Sequence, residues 1–373
     1  MKIKLLLSLV LPVTFLFAQA EIEVEPDFQS NEYCKKCHPD IYKEYEKSMH
    51  RNSTIFKDPI HKAVWDKHPT NTKKQKYKCA KCHTPTADNI KDMLGKGTKG
   101  IPDVSNETHT QGILCSYCHR IESVEHGSMS STNKIHLEKK DYYGTREKPL
   151  RSRKHYQKYS EDFKNGQVCM GCHSHKKNSS KLDVCVTDMG KEDDSENCIT
   201  CHMPQVKGDM SSKGETGTYA FHGFPGANLH KEKLLHYINM KFIKEDTGFQ
   251  ISIKNRSPHN LMLHPMRYTQ LLVSVERDSK VQEFKPEVFI RMIGKDDKAS
   301  PPWVANEVVK DTMIKGKETR KINYEKVLRK GDKVKVTLGY YLVKPDVAKK
   351  FAIKTSEHLS TFHILKDKTY TVE

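Results

Sequence analysis

The chain has 373 residues, 30% of them Asp, Glu, Lys or Arg, with a mean hydropathy of −0.75 and a formal charge of +17. Such polarity excludes a protein built from many membrane spans. The basic balance alone admits a nucleic-acid partner, a class that the first twenty residues argue against.

Those residues, MKIKLLLSLVLPVTFLFAQA, set Lys2 and Lys4 before an apolar run from Leu5 to Phe17 and close on Ala18-Gln19-Ala20. A basic start, a run too short to span a bilayer comfortably and a small-x-small site describe a secretory signal peptide. The expectation is a leader over 1–20, a mature chain from Glu21 exported to the periplasm with no transmembrane segment, and no nucleic-acid partner.

Next come five hooks of one pattern, Cys-x-x-Cys-His: Cys34–His38, Cys79–His83, Cys115–His119, Cys169–His173 and Cys198–His202. From the abundance of Cys and His, roughly 0.02 such matches are expected by chance. The hooks consume ten of the eleven cysteines, leaving Cys185. Zinc would pair the Cys-x-x-Cys hooks two by two, and five is an odd number for that; neither zinc nor a disulfide framework needs a histidine fixed at the fifth place. Covalent c-type haem uses all three residues. The thiols form thioethers to the porphyrin, and the following imidazole lies under the iron as its proximal ligand. The spacing therefore predicts five covalently bound haem c groups. Cys34, Cys37, Cys79, Cys82, Cys115, Cys118, Cys169, Cys172, Cys198 and Cys201 carry them, and His38, His83, His119, His173 and His202 ligate the irons. Ten haem propionates would offset part of the basic charge, and any remaining basic patch suits acidic redox partners.

Between the hooks the chain predicts short helices and loops, since porphyrins supply the core. Pro39–His50 and His155–Gly166 are the clearest helical stretches, the first with proline in its opening turn and the second ending at a glycine cap. Cysteine is absent after Cys201, and period-two patterns begin: Phe249, Ile251, Ile253; the run from Gln270; and Val334, Val336, Leu338, Tyr340, Leu342 behind a Lys-Gly-Asp turn. The expected fold is α+β. A loop-rich, helical multihaem unit over 21–234 precedes an antiparallel β-sandwich-like unit over 235–373.

Between Tyr33 and about Arg267 the chain resembles the multihaem c-type cytochromes related to the tetrahaem cytochrome that accepts electrons from hydroxylamine oxidoreductase. The resemblance rests on the first hook with its helix ending Ser48-Met49-His50, on GILCSYCHR and CITCHMP, on FHGFPGA (Phe221–Ala227) and on IKNRSPHNLMLHP (Ile253–Pro265). It implies distal ligands at His50, His222 and His259, with Pro258 standing where that family usually has glycine. By position, His109 before the third hook and His155 before the fourth are the two further distal candidates, with His61, His68, His126, His136, His175 and His230 in reserve. Bis-histidine ligation at most irons is expected. Cys185 reads as a buried free thiol or as a thiol near a haem.

The function expected is a periplasmic electron carrier working between respiratory redox proteins: a quinol dehydrogenase, other cytochromes or a terminal reductase. The alternative is an oxidoreductase acting on a small nitrogen or sulfur compound at one open haem. The Cys-x-x-Cys-Lys signature common in pentahaem nitrite reductases does not occur, nor does any Ser–His–Asp set, phosphate loop or dinucleotide fingerprint.

Overall fold

The computed structural model describes residues 28–148, 152–187, 196–212, 216–353 and 356–373; the leader expected over 1–20 lies outside the described residues. Among these, no helix is long and apolar enough to cross a membrane.

The fold is α+β. From Asn31 to His202 the α-helices among the described residues run four to nine residues, separated by two-stranded pairings. Pro39–Lys47 is helical as expected, with Pro39 in its first turn; it stops at Ser48, whose backbone is extended, and so delivers His50 from the turn beyond. The expected helix over His155–Gly166 is corrected. Tyr156–Tyr159 is a strand, paired in parallel with Asp141–Gly144, and only Glu161–Lys164 is helical. The tyrosines favour a pleated surface, and pairing with another tyrosine-rich strand outweighs the local helical preference. Gly166, at φ 79°, ends that short helix in the left-handed region.

The C-terminal strands follow the predicted period. Phe249–Asn255 buries Phe249, Ile251 and Ile253, and Lys333–Tyr341 buries Val334, Val336, Leu338 and Tyr340. Two antiparallel sheets result. One has the order Thr319–Tyr324, Phe249–Asn255, Ile238–Lys244. The other has the order Lys280–Glu283, Tyr268–Arg277, Lys333–Tyr341, His363–Thr371, with Glu287–Phe289 also on the second strand. Their apolar faces share one core. Each fully buried Ile or Leu in it contributes about 1.5–3 kcal/mol of transfer free energy.

That core does not stop at the expected boundary. Residues 234 and 235 fall inside the 3-10 helix Lys231–Tyr237, and Ile60 and Ala63 of the helix Pro59–Lys67 belong to the same apolar cluster as the two sheets. The segment leading to the second hook is therefore packed into the β unit.

Candidate cofactor sites

Each hook lies in or against one turn of helix. The amide N–H groups of His38, His83 and His119 donate to the carbonyls of Cys34, Cys79 and Cys115, all at 3.0 Å. One helical turn brings positions i, i+3 and i+4 to the same face. The two thiols and the imidazole of a Cys-x-x-Cys-His run thereby converge, which neither residue spacing nor composition alone would ensure in an extended chain. Asn197 closes the fifth hook with a reciprocal cap: its side chain accepts from Ile199 and Thr200 N–H, and its own N–H donates to the Thr200 hydroxyl.

Four hook histidines each face a second histidine. The ring centroids are 6.2 Å apart for His38 and His155, 6.0 Å for His50 and His173, 6.2 Å for His119 and His222, and 6.1 Å for His202 and His259. Two imidazoles bonded to one iron through Nε2, at about 2 Å each, hold their centroids roughly 6 Å apart. The donor pairs thus fit an axially ligated haem iron. Tautomers fit as well. A carbonyl can only accept, so the Nδ1–H groups of His38, His119, His202, His222 and His259 donate to Met210, Tyr143, Pro225, Ala220 and Asn260 carbonyls at 2.6–2.9 Å. That leaves each Nε2 lone pair for a metal. Desolvation lowers the pKa of His50 and His222 to about 3 and pushes those of His119, His155, His173, His202 and His259 down as well, which keeps these rings neutral and able to ligate.

Distant segments are held together to form the pairs. Gly112, at φ 72°, lies where a Cβ would stand 2.4 Å from the His50 carbonyl oxygen, and Ile113 N–H donates to that same oxygen at 3.0 Å. The buried Asn255 side chain donates to the carbonyls of His259, Ile314 and Lys315, and Gly316 packs against Pro258. The turn before His259 is thus fixed with proline in place of the usual glycine.

The second hook is arranged differently. His61 and His83 both donate Nδ1–H to the Ser53 carbonyl, at 3.0 and 2.9 Å, and their rings are 3.8 Å apart. His61 Nε2 accepts from Tyr77 Oη at 3.3 Å. The structure does not bring His109 to any hook histidine. It is buried, its Nδ1 accepts from Asp103 N–H at 2.9 Å, and its Nε2 is 2.8 Å from Asp88 Oδ1. The other five reserve histidines also lie elsewhere. His68 packs on Trp303, His126 meets the Ser131 hydroxyl, His136 sits between Glu122 and Asp141, His175 pairs in a short strand, and His230 packs on Phe221.

The hooks are close to one another. Cys34 is within hydrogen-bond reach of Cys115, Cys82 of Cys172, and Cys169 of Cys198. The Asn133 amide bridges Tyr117 Oη at 3.2 Å and Cys172 Sγ at 3.7 Å, tying the third hook to the fourth. Cys185 pairs with Lys176 across a two-stranded ladder. It keeps accessible surface, while desolvation pushes its thiol pKa up, and the thiols of Cys82 and Cys79 act on it electrostatically.

Hooks on single helical turns, with imidazoles opposed at iron-spanning distance, make the chain a multihaem c-type cytochrome that binds haem c covalently. Residues 33–120 match the family model of cytochrome c554 and c-prime. The fold is similar to the crystal structure of a penta-heme cytochrome c552 from Thermochromatium tepidum, with a TM-score of 0.70 and 21% identity over 92% of this chain and 99% of that one. No curated protein matches the sequence.

Proposed function

We propose that the protein is an exported, periplasmic electron-transfer protein carrying five haem c groups, four of them bis-histidine ligated. The observation that carries this reading is the set of four opposed histidine pairs at 6.0–6.2 Å: His38–His155, His50–His173, His119–His222 and His202–His259. When bound, the haems supply reversible one-electron chemistry at low potential, as bis-histidine ligation favours. The chain's own work is to fix them. The backbone carbonyls orient the ligating rings, the surrounding protein excludes water, and the contacts of hook one with three, three with four, two with four and four with five join all sites into one set. The two-sheet core supports a sandwich-like C-terminal unit that lends His259 to the fifth hook. The basic surface suits acidic redox partner proteins.

Mass spectrometry of the mature protein tests the count and the leader together: five haem additions on a polypeptide starting at Glu21 are expected. Four or fewer on fully matured protein would overturn it. A second reading, an oxidoreductase with one open haem, is favoured by a single observation: His83 has its neighbouring histidine beside it and not at iron-spanning distance.

A further inference from the structure

The sheet Thr319–Tyr324, Phe249–Asn255, Ile238–Lys244 turns one face to the core and the other to solvent. Alternate residues point outward, and the register sets them in three rows. The first is Asn239, Lys254 and Thr319; the second Lys241, Ser252 and Lys321; the third Ile243, Gln250 and Asn323. Gln250 Nε2 donates to Asn323 Oδ1 at 2.9 Å, so the side chains of the third row share one side. None of these residues is acidic. Lys241 and Lys321 are exposed and flank Ser252, on strands about 4.8 Å to either side of it. Lys254 Nζ donates to the Lys317 carbonyl, which holds a third ammonium group at one end of the face. The carboxylates at that end are engaged: Glu196 pairs with Lys317, and Glu318 with Arg320. Glu245, Asp246 and Glu325 lie beyond the opposite end. A shallow depression of about 200 Å³ opens between the first two rows, lined by Asn239, Lys241, Ser252, Lys254 and Thr319. Two ammonium groups, two hydroxyls and an amide form a donor set suited to a carboxylate.

The first row also adjoins the fifth hook. Asn239 follows Tyr237 by two residues, and Tyr237 Oη lies 3.2 Å from Cys201 Sγ. Lys254 precedes Asn255, whose amide donates to the His259 carbonyl at 2.8 Å. Arg256, exposed in the same turn, donates its N–H to the Tyr237 carbonyl at 2.7 Å. Short stretches of chain thus lead from the basic face to both Cys201 and His259.

We propose that this face docks an acidic one-electron redox protein, with a partner carboxylate in the depression, and that the electron is exchanged with the fifth haem. The inference rests on the electron-transfer reading above and adds the surface and the haem of exchange to it. The transfer moves one electron and no atom: the donor's centre loses the electron that the ferric iron gains. Exposed lysines on a flat polar face steer an acidic partner and release it quickly, as a transient redox encounter requires.

The probe is a reduced, acidic plant-type ferredoxin, a low-potential one-electron donor, mixed with the oxidised holoprotein. The second-order rate constant of haem reduction should fall as salt is added. Lys241→Gln with Lys321→Gln should lower it about tenfold at low salt, and Lys241→Arg with Lys321→Arg should keep it. Lys280→Gln with Lys335→Gln, which removes the same charge from the other sheet, should change it by less than about twofold. Carbodiimide cross-links from ferredoxin carboxylates, mapped by mass spectrometry, should fall on Lys241, Lys254 or Lys321. In freeze-quenched samples the first low-spin signal to disappear should be the one that His259→Ala turns high-spin. An unchanged rate in the glutamine pair, an equal loss in the control pair, or cross-links concentrated elsewhere would overturn the docking face. If the glutamine pair instead loses binding to phosphatidylglycerol vesicles with its ferredoxin rate intact, the face belongs to an anionic membrane and the proposal falls. A different signal lost first would overturn the fifth haem as the point of exchange. A wild type that dithionite reduces and ferredoxin does not would defeat the docking alone; haems that dithionite leaves ferric would sink the electron-transfer reading and the docking with it.

Discussion

The rings of His119 and His222 stand 6.2 Å apart at 30° to one another, although 103 positions separate them in the chain and only one of them belongs to a hook. His222 Nδ1–H is held by the Ala220 carbonyl at 2.6 Å, and its backbone N–H donates to Glu44 Oε2 at 2.9 Å. The helix Pro39–Lys47 that follows the first hook therefore helps to position the ligand opposed to the third.

Replacing His222 with alanine should leave five haems attached and turn one of the low-spin haems high-spin, with carbon monoxide binding on reduction. A spectrum identical to wild type would show that His222 ligates nothing.

His109 should behave in the opposite way. With both ring nitrogens engaged by Asp103 and Asp88, His109→Ala is expected to leave the spin states alone and to lower stability by about 1–3 kcal/mol, the cost of orphaning buried partners. Denaturant unfolding alongside the haem spectrum separates the two outcomes; a new high-spin signal would restore His109 as a ligand.

Gly112→Ala should disturb the fourth site from a distance. The added Cβ meets the His50 carbonyl at 2.4 Å, and φ of 72° adds strain of about 1–3 kcal/mol. The expected readout is a lower midpoint of thermal unfolding together with partial loss of the low-spin signal from the His50–His173 pair. Loss of stability with that pair intact would reduce Gly112 to a turn residue.

Acid should weaken the C-terminal unit through Asp332. Its carboxylate accepts from Arg277 Nε and Nη2 at 2.8 and 2.6 Å and from Arg329 N–H at 2.8 Å; the Arg277 hydrogen bonds come first in lowering its pKa to about 2. A lowered folded-state pKa gives stability that is present above the unfolded value near 4 and lost as pH falls toward 2. Asp332→Asn should lower stability at neutral pH, and its deficit against wild type should shrink over that window. A deficit constant from pH 5 to pH 2 would contradict the assignment.

Ile60→Ala probes the shared core. The side chain is 8% exposed and packs with the sheets, so a loss of about 2–5 kcal/mol is expected. Because its helix also carries His61, strand-region circular dichroism and the spectrum of the second haem should report the loss at the same temperature; two separate transitions would show that the units unfold independently.

What the sequence determined is what local geometry can encode. Cys-x-x-Cys-His needs only one helical turn to place its three groups, so the five proposed proximal sites were legible as five-residue words. The alternation around Ile251 and Val336 needed only the period of a strand. The Phe-His-Gly and Asn-x-x-Pro-His stretches pointed to His222 and His259 through resemblance, and position alone pointed to His155. Tertiary structure decided the rest. Which imidazole faces which hook depends on contacts such as Gly112 on His50, and no run of residues contains them. The same holds for the strand at Tyr156–Tyr159, which exists because Asp141–Gly144 lies beside it. His109 reads like a ligand in sequence and is tied to two aspartates in space.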